Sequence, residues 1–552
     1  MSILRKFARY YYTLKPLKLS QYYYLLKQRV VNVKLPTQTI HASSRDWDKP
    51  FDFFLPMPLA LSSKWSFNFL GESGSIDTDW NSDEHSKLWL YNLHYHDDLN
   101  KLGCDNVKEL HYNMISKWIN ENPPMQGNGW EPYPLSLRIV NWIKWLSRQE
   151  VNDPAIIESL CNQATALNLQ LEYHLRANHL FENAKALVFF GSYIESPDAE
   201  RCLKKGVKLL DEQVSEQFFD DGGHFEGSPM YHASLLWGMC DLYLLAQCSK
   251  LNLLKERSPL WKKVIQKGMF YLKEMCHPDG EVSFFNDSTF GIAPSYQELN
   301  RYVEYLGFDL QKQAVEVSYP VGSYFEKSGY LVVNLSESSK AILDIADIGP
   351  DCQPGHAHAD TLSFELSLFG KRVFVNSGIS QYGTDIERQR QRSTQLHNTV
   401  VVDGENSSDV WGGFRVGRKA NVTLLNYVSG AGRVECEASH DGYKSFKRAV
   451  IHKRQWKIEK GAIEIKDQIT SSGVKSEYRL HLHPDVTIKR LDEQTLQLCI
   501  NDRQALFQSK GCDIHLEKST WYPGFGQRVK NNVISIPFEQ AELVTNIYWD
   551  EK

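Results

Sequence analysis

The sequence predicts a multidomain α and β protein, an all-helical unit followed by an all-β unit, and three observations carry that prediction. Apolar residues recur at a 3.6-residue period from about 85 to 310, short β-branched runs bounded by Gly and Asp take over after about 320, and 552 residues are enough for several domains. The helical period is plain in Leu135, Ile139, Trp142, Ile143 and Leu146 after Pro134. It returns in Ile157, Leu160, Cys161, Ala164, Leu167 and Leu171, and in Leu235, Met239, Leu242 and Leu245. Repeated helices of this kind imply a bundle or a toroid. The β runs are Tyr330–Leu335, Ala341–Ile345, Leu362–Leu368, Arg372–Val375, Thr399–Val402 and Ala449–His452, whose alternation and close turn signals imply antiparallel sheets. The expected divisions are a basic lead-in over 1–84, the helical unit over 85–320 and the β unit over 321–552. With no repeat or low-complexity linker between them, the two units are expected to pack closely and share a cleft.

The net charge of −5 gives no global basic field, so nucleic acid is not an expected partner. The ten cysteines lack CxxC or paired spacing, which argues against a zinc ribbon or a disulfide framework and for buried thiols in a reducing compartment. The N-terminus has basic residues but no uninterrupted apolar stretch and no small-residue cleavage site, and the apolar run from Leu235 to Ala246 is broken by Asp241. A cytoplasmic protein without a transmembrane helix is the expectation. Residues 1–45 carry nine Lys/Arg and no Asp or Glu, leaving −14 on the remainder, and the cations are interleaved with Tyr10–Tyr12 and Tyr22–Tyr24. Such a segment suits either docking on the acidic remainder or peripheral contact with an anionic membrane.

Five segments concentrate polar, aromatic and imidazole groups. In the first, a Pro-bounded turn holding Trp130, Glu131 and Tyr133 feeds a helix on which Arg138, Asn141 and Trp142 share a face. Aromatic platforms beside Arg and Asn suit a sugar, which is apolar on one face and hydroxylated at its edges; helix-start packing with a buried Arg–Glu pair is the structural alternative. Asn178 and His179 stand at an expected helix end, where they serve either as a cap or as groups projecting into a cleft. Gly222 and Gly223 permit a tight loop before a helix beginning near Ser228 and Pro229, which presents Tyr231 and His232 in its first turn. His356 and His358 alternate before a strand, a spacing that suits a metal or an anionic ligand. The run from Arg388 through Arg390 to Arg392, followed by His397, favours an anionic substrate or is a solvated charge run. A further polar loop holds Asn286, Asp287 and Ser288.

In this order the segments resemble the heparinase II/III-like polysaccharide lyases and their alginate and oligoalginate lyase relatives. The matching pieces are WEPYPLSLRIVNW (130–142), NHLFENAKAL (178–187), GGHFEGSPMYH (222–232), PDGEVSFFNDS (278–288), GHAHADTLSFEL (355–366) and HNTVVVDG (397–404). The resemblance covers about 85 to 420 and implies an (α/α) toroid followed by an antiparallel β-sandwich, with substrate in the groove between them. It further implies β-elimination on a uronic-acid polysaccharide. Asn178 and His179 would neutralise the sugar carboxylate, Tyr231 would serve as general base, general acid or both, and His356 would be its partner or lower its pKa. Trp130, Glu131, Tyr133, Arg138, Asn141, His232, Arg390 and Arg392 are the expected substrate contacts.

Some relatives hold a structural divalent metal such as zinc. The matching positions here are His358, Asn376 and His397, with Asp360 an unaligned substitute for the weakly ligating amide. No organic cofactor is expected. A uronyl C5-epimerase shares the proton abstraction, and a catalytically silent carbohydrate-binding protein would keep only the cleft. The missing secretion signal favours a cytoplasmic role in making or editing a surface polysaccharide. The motifs encode a chemistry and not a particular sugar, linkage or oligomeric state.

Overall fold

The structure is a computed structural model that describes residues 3–31, 33–36, 42–63, 65–77, 79–149, 151, 153–309, 318–445, 448–471 and 473–551. Residues 1, 2, 32 and 37–41 of the basic lead-in lie outside that set. Helices α1 (Ile3–Leu14) and α2 (Leu19–Val30) precede a three-stranded antiparallel sheet spanning Leu61–Ser63, Ser66–Phe69 and Glu72–Ser75. Then come α3 (Lys87–Tyr95), α4 (Lys108–Glu121), α5 (Pro132–Arg148), α6 (Pro154–Leu169), α7 (Ala177–Tyr193) and α8 (Pro197–Gln217). They are followed by α9 (Pro229–Cys248), α10 (Asn252–Lys255), α11 (Ser258–Met275) and α12 (Tyr296–Tyr305).

Proline in the first turn fixes φ where no amide donor is needed, and it opens α5, α6, α8, α9 and α11. Asp153, Ser196, Ser228 and Ser295 cap α6, α8, α9 and α12 with side-chain oxygens. The helices form two layers. In the inner layer, α7 packs on both α5 and α9, while α6, α8 and α11 cover the outside. Burial explains the assignment: every residue of α7 except His179 is buried, whereas α8 has the one-sided apolar stripe of an outer helix.

From Val321 onward the chain is built on antiparallel sheets. Val321–Phe325, Tyr330–Asn334, Lys340–Asp344, Phe364–Leu368 and Lys371–Phe374 form a five-stranded meander in sequence order. An eight-stranded sheet, a four-stranded sheet and two two-stranded ones follow, and Leu343, Leu366, Trp456, Ile465, Leu480 and Ile534 from the three larger sheets share one core. The short α13 (Ile386–Gln391) interrupts the strands. One expected strand, Ala449–His452, is a junction instead: Arg448–Ala449 pairs with Lys444–Ser445, and His452 opens a new strand between two other partners. The ladder changes partners there, which an apolar run cannot reveal.

The two units meet along the loop after α11. The His277 imidazole lies 2.8 Å from the Glu365 carboxylate, the Arg372 guanidinium donates to Asp279 at 2.7 Å, and Phe284 stacks on Trp521. That loop carries Asp287, fully buried, to the junction of the two units.

Candidate active site

The first turns of the inner helices converge. Tyr133 of α5 packs its ring on His179 of α7 at 4.5 Å, and Tyr133 and Tyr231 of α9 are electrostatic neighbours. Three helix N-termini therefore direct partial positive charge toward one cleft. The chain enters α7 through Arg176 and Ala177, both at positive φ (59° and 49°), a conformation that costs roughly 1–3 kcal/mol per residue and is retained where the surroundings enforce it. Asn178 then turns its carbonyl oxygen to the His179 backbone amide at 2.9 Å. The His179 Nδ1–H donates to the buried Glu172 carboxylate at 3.0 Å, which leaves Nε2 as the free nitrogen. Glu172 also accepts from Asn183; although burial disfavours its charge, His179 and Asn183 hold its carboxyl below the usual range.

Tyr231 is placed by the cap of α9, where the Ser228 hydroxyl accepts from the Tyr231 amide at 3.1 Å and donates to the Asp287 carbonyl at 2.7 Å. Its ring stacks on His356 with centroids 3.9 Å apart, and its hydroxyl lies 2.8 Å from that of Tyr382. Burial, reinforced by Tyr382, pushes the phenol well above its ordinary pKa, so Tyr231 is a neutral phenol. Of the two roles expected of His356, this opposes the lowering of the phenol pKa and leaves that of partner; the neighbouring Arg388 is spent on a carboxylate.

That carboxylate is Asp287, fully buried. It accepts the fork of Arg388, His356 Nδ1–H at 2.9 Å and His358 Nε2–H at 2.8 Å. Burial opposes the charge, but Arg388 and the two imidazoles hold Asp287 well below the carboxylate range. Because an ionised carboxylate only accepts, His356 carries a proton on Nδ1, and burial, which lowers the pKa of the ring, favours the neutral form whose Nε2, turned away from Asp287, is unprotonated.

Several expected substrate contacts lie inside the fold. Arg138 is buried over the Trp118 ring and donates to the carbonyls of His94 and Gly129 and to Gln163. Trp130 is a core residue whose indole donates to the Asn122 carbonyl, and Asn141 is used up by Tyr95, Asp97 and Asn100. His232 points the other way from Tyr231, onto the Gly268 carbonyl. Arg392 is buried against the carbonyls of Ala357, Gly412 and Gly413, where it shapes the loop holding His356. Arg390 is half-buried near Glu387 and Tyr522. Glu131 pairs with Lys87 and Tyr91, beside the cleft-facing Tyr133. The arrangement brings in Glu172 and Tyr382, which the sequence did not single out, together with Asp287, noted only within a polar loop, and Arg388, expected on an anionic substrate and found instead on Asp287.

Asn376, expected by position, spends its side-chain amide within the fold. Its Nδ2 approaches Ser363 at 3.4 Å and its oxygen accepts from the Asn398 backbone amide at 3.3 Å, while His358, Asp360 and His397 place ligand atoms all within 4.8 Å of one another. The tautomers make this a fitting cation site. His358 commits its Nε2–H to Asp287, and His397 commits its Nδ1–H to the Ser393 carbonyl at 2.8 Å. The two remaining nitrogens are both lone-pair acceptors, yet they face each other at 3.1 Å beside a carboxylate. Imidazoles fastened through their second nitrogen are the usual support of a metal site, and an N₂O set suits zinc or a similar ion.

Comparison with known proteins agrees with this architecture. Residues 77–310 match the family profile described as Heparinase II/III N-terminus, and residues 320–550 match Heparinase II/III-like, C-terminal. The chain belongs to the heparinase II/III-like family. Curated relatives include a heparin-sulfate lyase of Bacteroides stercoris, 25% identical over 301 residues (50% of this chain, 44% of the relative). Another is a heparin-sulfate lyase of Pedobacter heparinus, 26% identical over 325 residues (53% and 48%). The matches thus span about half the length of these relatives. A crystal structure of heparinase III superposes with a TM-score of 0.67 at 18% identity, covering 97% of this chain and 85% of that one, a likeness of fold.

Proposed function

We propose that this protein is a polysaccharide lyase that cleaves a uronic-acid-containing polysaccharide by β-elimination. The stacked Tyr231–His356 pair, 3.9 Å apart in a cleft toward which three helix N-termini point, carries the reading. The relatives named heparin-sulfate lyase support it.

An acidic sugar fits the electrostatics, because its carboxylate meets the positive end of α7 together with the Asn178 amide N–H and with His179 in its doubly protonated form, Nδ1–H on Glu172 and Nε2–H toward the sugar. Those groups stabilise the enolate-like intermediate that forms when C5 loses its proton, an effect of about 3–4 kcal/mol per well-placed donor. The unprotonated Nε2 of His356 takes the C5 proton. The C5–H electrons form the C4–C5 double bond, the C4–O bond breaks, and the neutral phenol of Tyr231 gives its proton to the departing oxygen. The imidazolium then returns its proton to the phenolate. Tyr382 orients the phenol, while Asp287 and Arg388 fix the tautomer and position of His356. A divalent cation on His358, Asp360 and His397 would be structural, fastening the loop of His356 to the segment around His397 and taking no part in proton transfer.

The test is a panel of acidic polysaccharides, including heparan sulfate and chondroitin, followed by ultraviolet absorbance of the unsaturated uronate. A rise with at least one polymer supports elimination. Deuterium entering C5 from heavy water without chain cleavage would instead make the protein an epimerase, and binding without either change would make it a silent carbohydrate-binding protein.

A further inference from the structure

The helices α1 and α2 use only one side against the rest of the chain. On that inner side Arg9 forks onto Asp409, with Nη2 at 2.6 Å, and Thr13 accepts from the Trp411 indole at 3.0 Å. Gln21, fully buried, donates to the carbonyls of His174 and Cys352, both at 3.1 Å, and Tyr24 stacks on Tyr173. The pair therefore clasps both units, since His174 belongs to the helical one and Cys352, four residues before His356, to the β one.

The outer side is built backwards for a soluble surface. Leu19, Tyr23, Leu26 and Val30 fall at i, i+4, i+7 and i+11 of α2 and are 87%, 61%, 64% and 82% exposed. An ordinary surface helix turns that stripe toward the core. Phe7, Tyr11 and Leu14 repeat the pattern on α1. Of the 23 exposed large apolar side chains among the described residues, ten lie between Phe7 and Val31, which makes the patch local. Lys6, Lys15, Arg29 and Lys34 are exposed with it, and the first 45 residues contain no carboxylate.

We propose that α1 and α2 form a docking surface for an anionic lipid bilayer, lying in its interface with the apolar stripe in the headgroup–acyl boundary and the cations on lipid phosphates. Each helix has twelve residues, too few to cross a bilayer. A hydrated polyanion would engage the lysines but gives Leu19, Leu26 and Val30 no apolar phase to enter. A second copy docking face to face would set the same cations against each other. Docking would also orient the cleft, because Arg9 holds Asp409 at the base of the hairpin over 410–416 and Thr13 holds Trp411 within it, and Phe414 of that hairpin packs against His356 at 5.8 Å and Tyr382 at 5.2 Å.

The experiment is flotation of the full chain with phosphatidylcholine vesicles, with and without phosphatidylglycerol as about a third of the lipid. It is read without reference to activity, so its failure is distinct from failure of the lyase assignment. Native protein is expected to float with the anionic vesicles, and the variant Leu19→Ser, Tyr23→Ser, Leu26→Ser, Val30→Ser to partition roughly tenfold or more weakly, with an unchanged melting temperature. No partitioning by the native chain, or equal partitioning by the variant, overturns the proposal. A concentration-dependent dimer that the variant dissolves, or a loss of acidic-polysaccharide binding with vesicle binding intact, assigns the face to another occupant and overturns it equally.

Discussion

The hydroxyls of Tyr231 and Tyr382 lie 2.8 Å apart, one on an inner helix of the helical unit and the other on a loop of the β unit 151 residues later. Neither unit alone holds the phenol pair, and His356, stacked on Tyr231, comes from the β side as well. The groups proposed to transfer protons are brought together only where the units meet.

Tyr231→Phe removes the proposed acid while keeping the ring on His356. Turnover is expected to fall about 100- to 10,000-fold with substrate affinity little changed. Steady-state kinetics together with direct binding measurements check this, and full residual activity contradicts the role. Tyr382→Phe loses only an orienting hydrogen bond and is expected to cost about 100-fold or less, concentrated in kcat.

Asp287→Asn leaves Arg388 as a buried cation without its partner and frees the His356 tautomer. Stability is expected to drop by roughly 3–5 kcal/mol, seen as a shift in the denaturant midpoint. Activity should fall in the fraction that remains folded.

Arg138→Ala separates packing from catalysis. It strips donors from the carbonyls of His94 and Gly129 and from Gln163, with an expected loss of about 3 kcal/mol or more. The turnover of folded protein should not change, since the guanidinium is buried away from the cleft.

Stability is expected to rise with pH between about 4 and the ordinary histidine pKa of about 6.5. Burial, together with Arg138, lowers His94 to about 3, and burial lowers His111 and His232 to about 4. Over that window the unfolded chain binds protons at these sites and the folded chain does not, so stability present above it is lost as pH falls. Glu226, raised by burial to about 8, has the opposite sign, as do Asp97, Glu281 and Asp344, also raised by burial, but the lowered imidazoles, with His96, His224, His440 and His481 beside the three above, outnumber them. Melting temperatures across this pH series check the direction.

Metal analysis of protein purified without chelator is expected to find about one divalent ion per chain. A chelator should lower the melting temperature of the native chain and leave His397→Ala unaffected by the treatment. Asn376→Ala should retain the ion and Asp360→Ala should lose it.

Helix-then-strand order was legible because a 3.6-residue period and short β-branched runs are local properties, visible in Leu135 to Leu146 and in Tyr330 to Leu335. The proline at residue 229 and the serine before it also placed Tyr231 in a first turn from sequence alone. Burial was not legible in the same way. Arg138 and Asn141 share a helical face, but that face turns inward, and a core arginine satisfied by carbonyls leaves no periodic signal. Asp287, Arg388 and Tyr382 join the site through contacts spanning 69 to 151 residues. Asn376 was expected by position with Asp360 as an unaligned substitute, and the carboxylate beside His358 and His397 is that of Asp360, two residues after His358.

The central claim is that a uronate chain breaks by elimination, and the fate of oxygen tests it most directly. A defined uronate oligosaccharide would be digested in heavy-oxygen water and the products weighed by mass spectrometry. The expected result is cleavage with no solvent oxygen incorporated at the break, and a new non-reducing end one water lighter than hydrolysis would leave. Incorporated solvent oxygen, or an oligosaccharide left whole across every uronate tried, contradicts the claim.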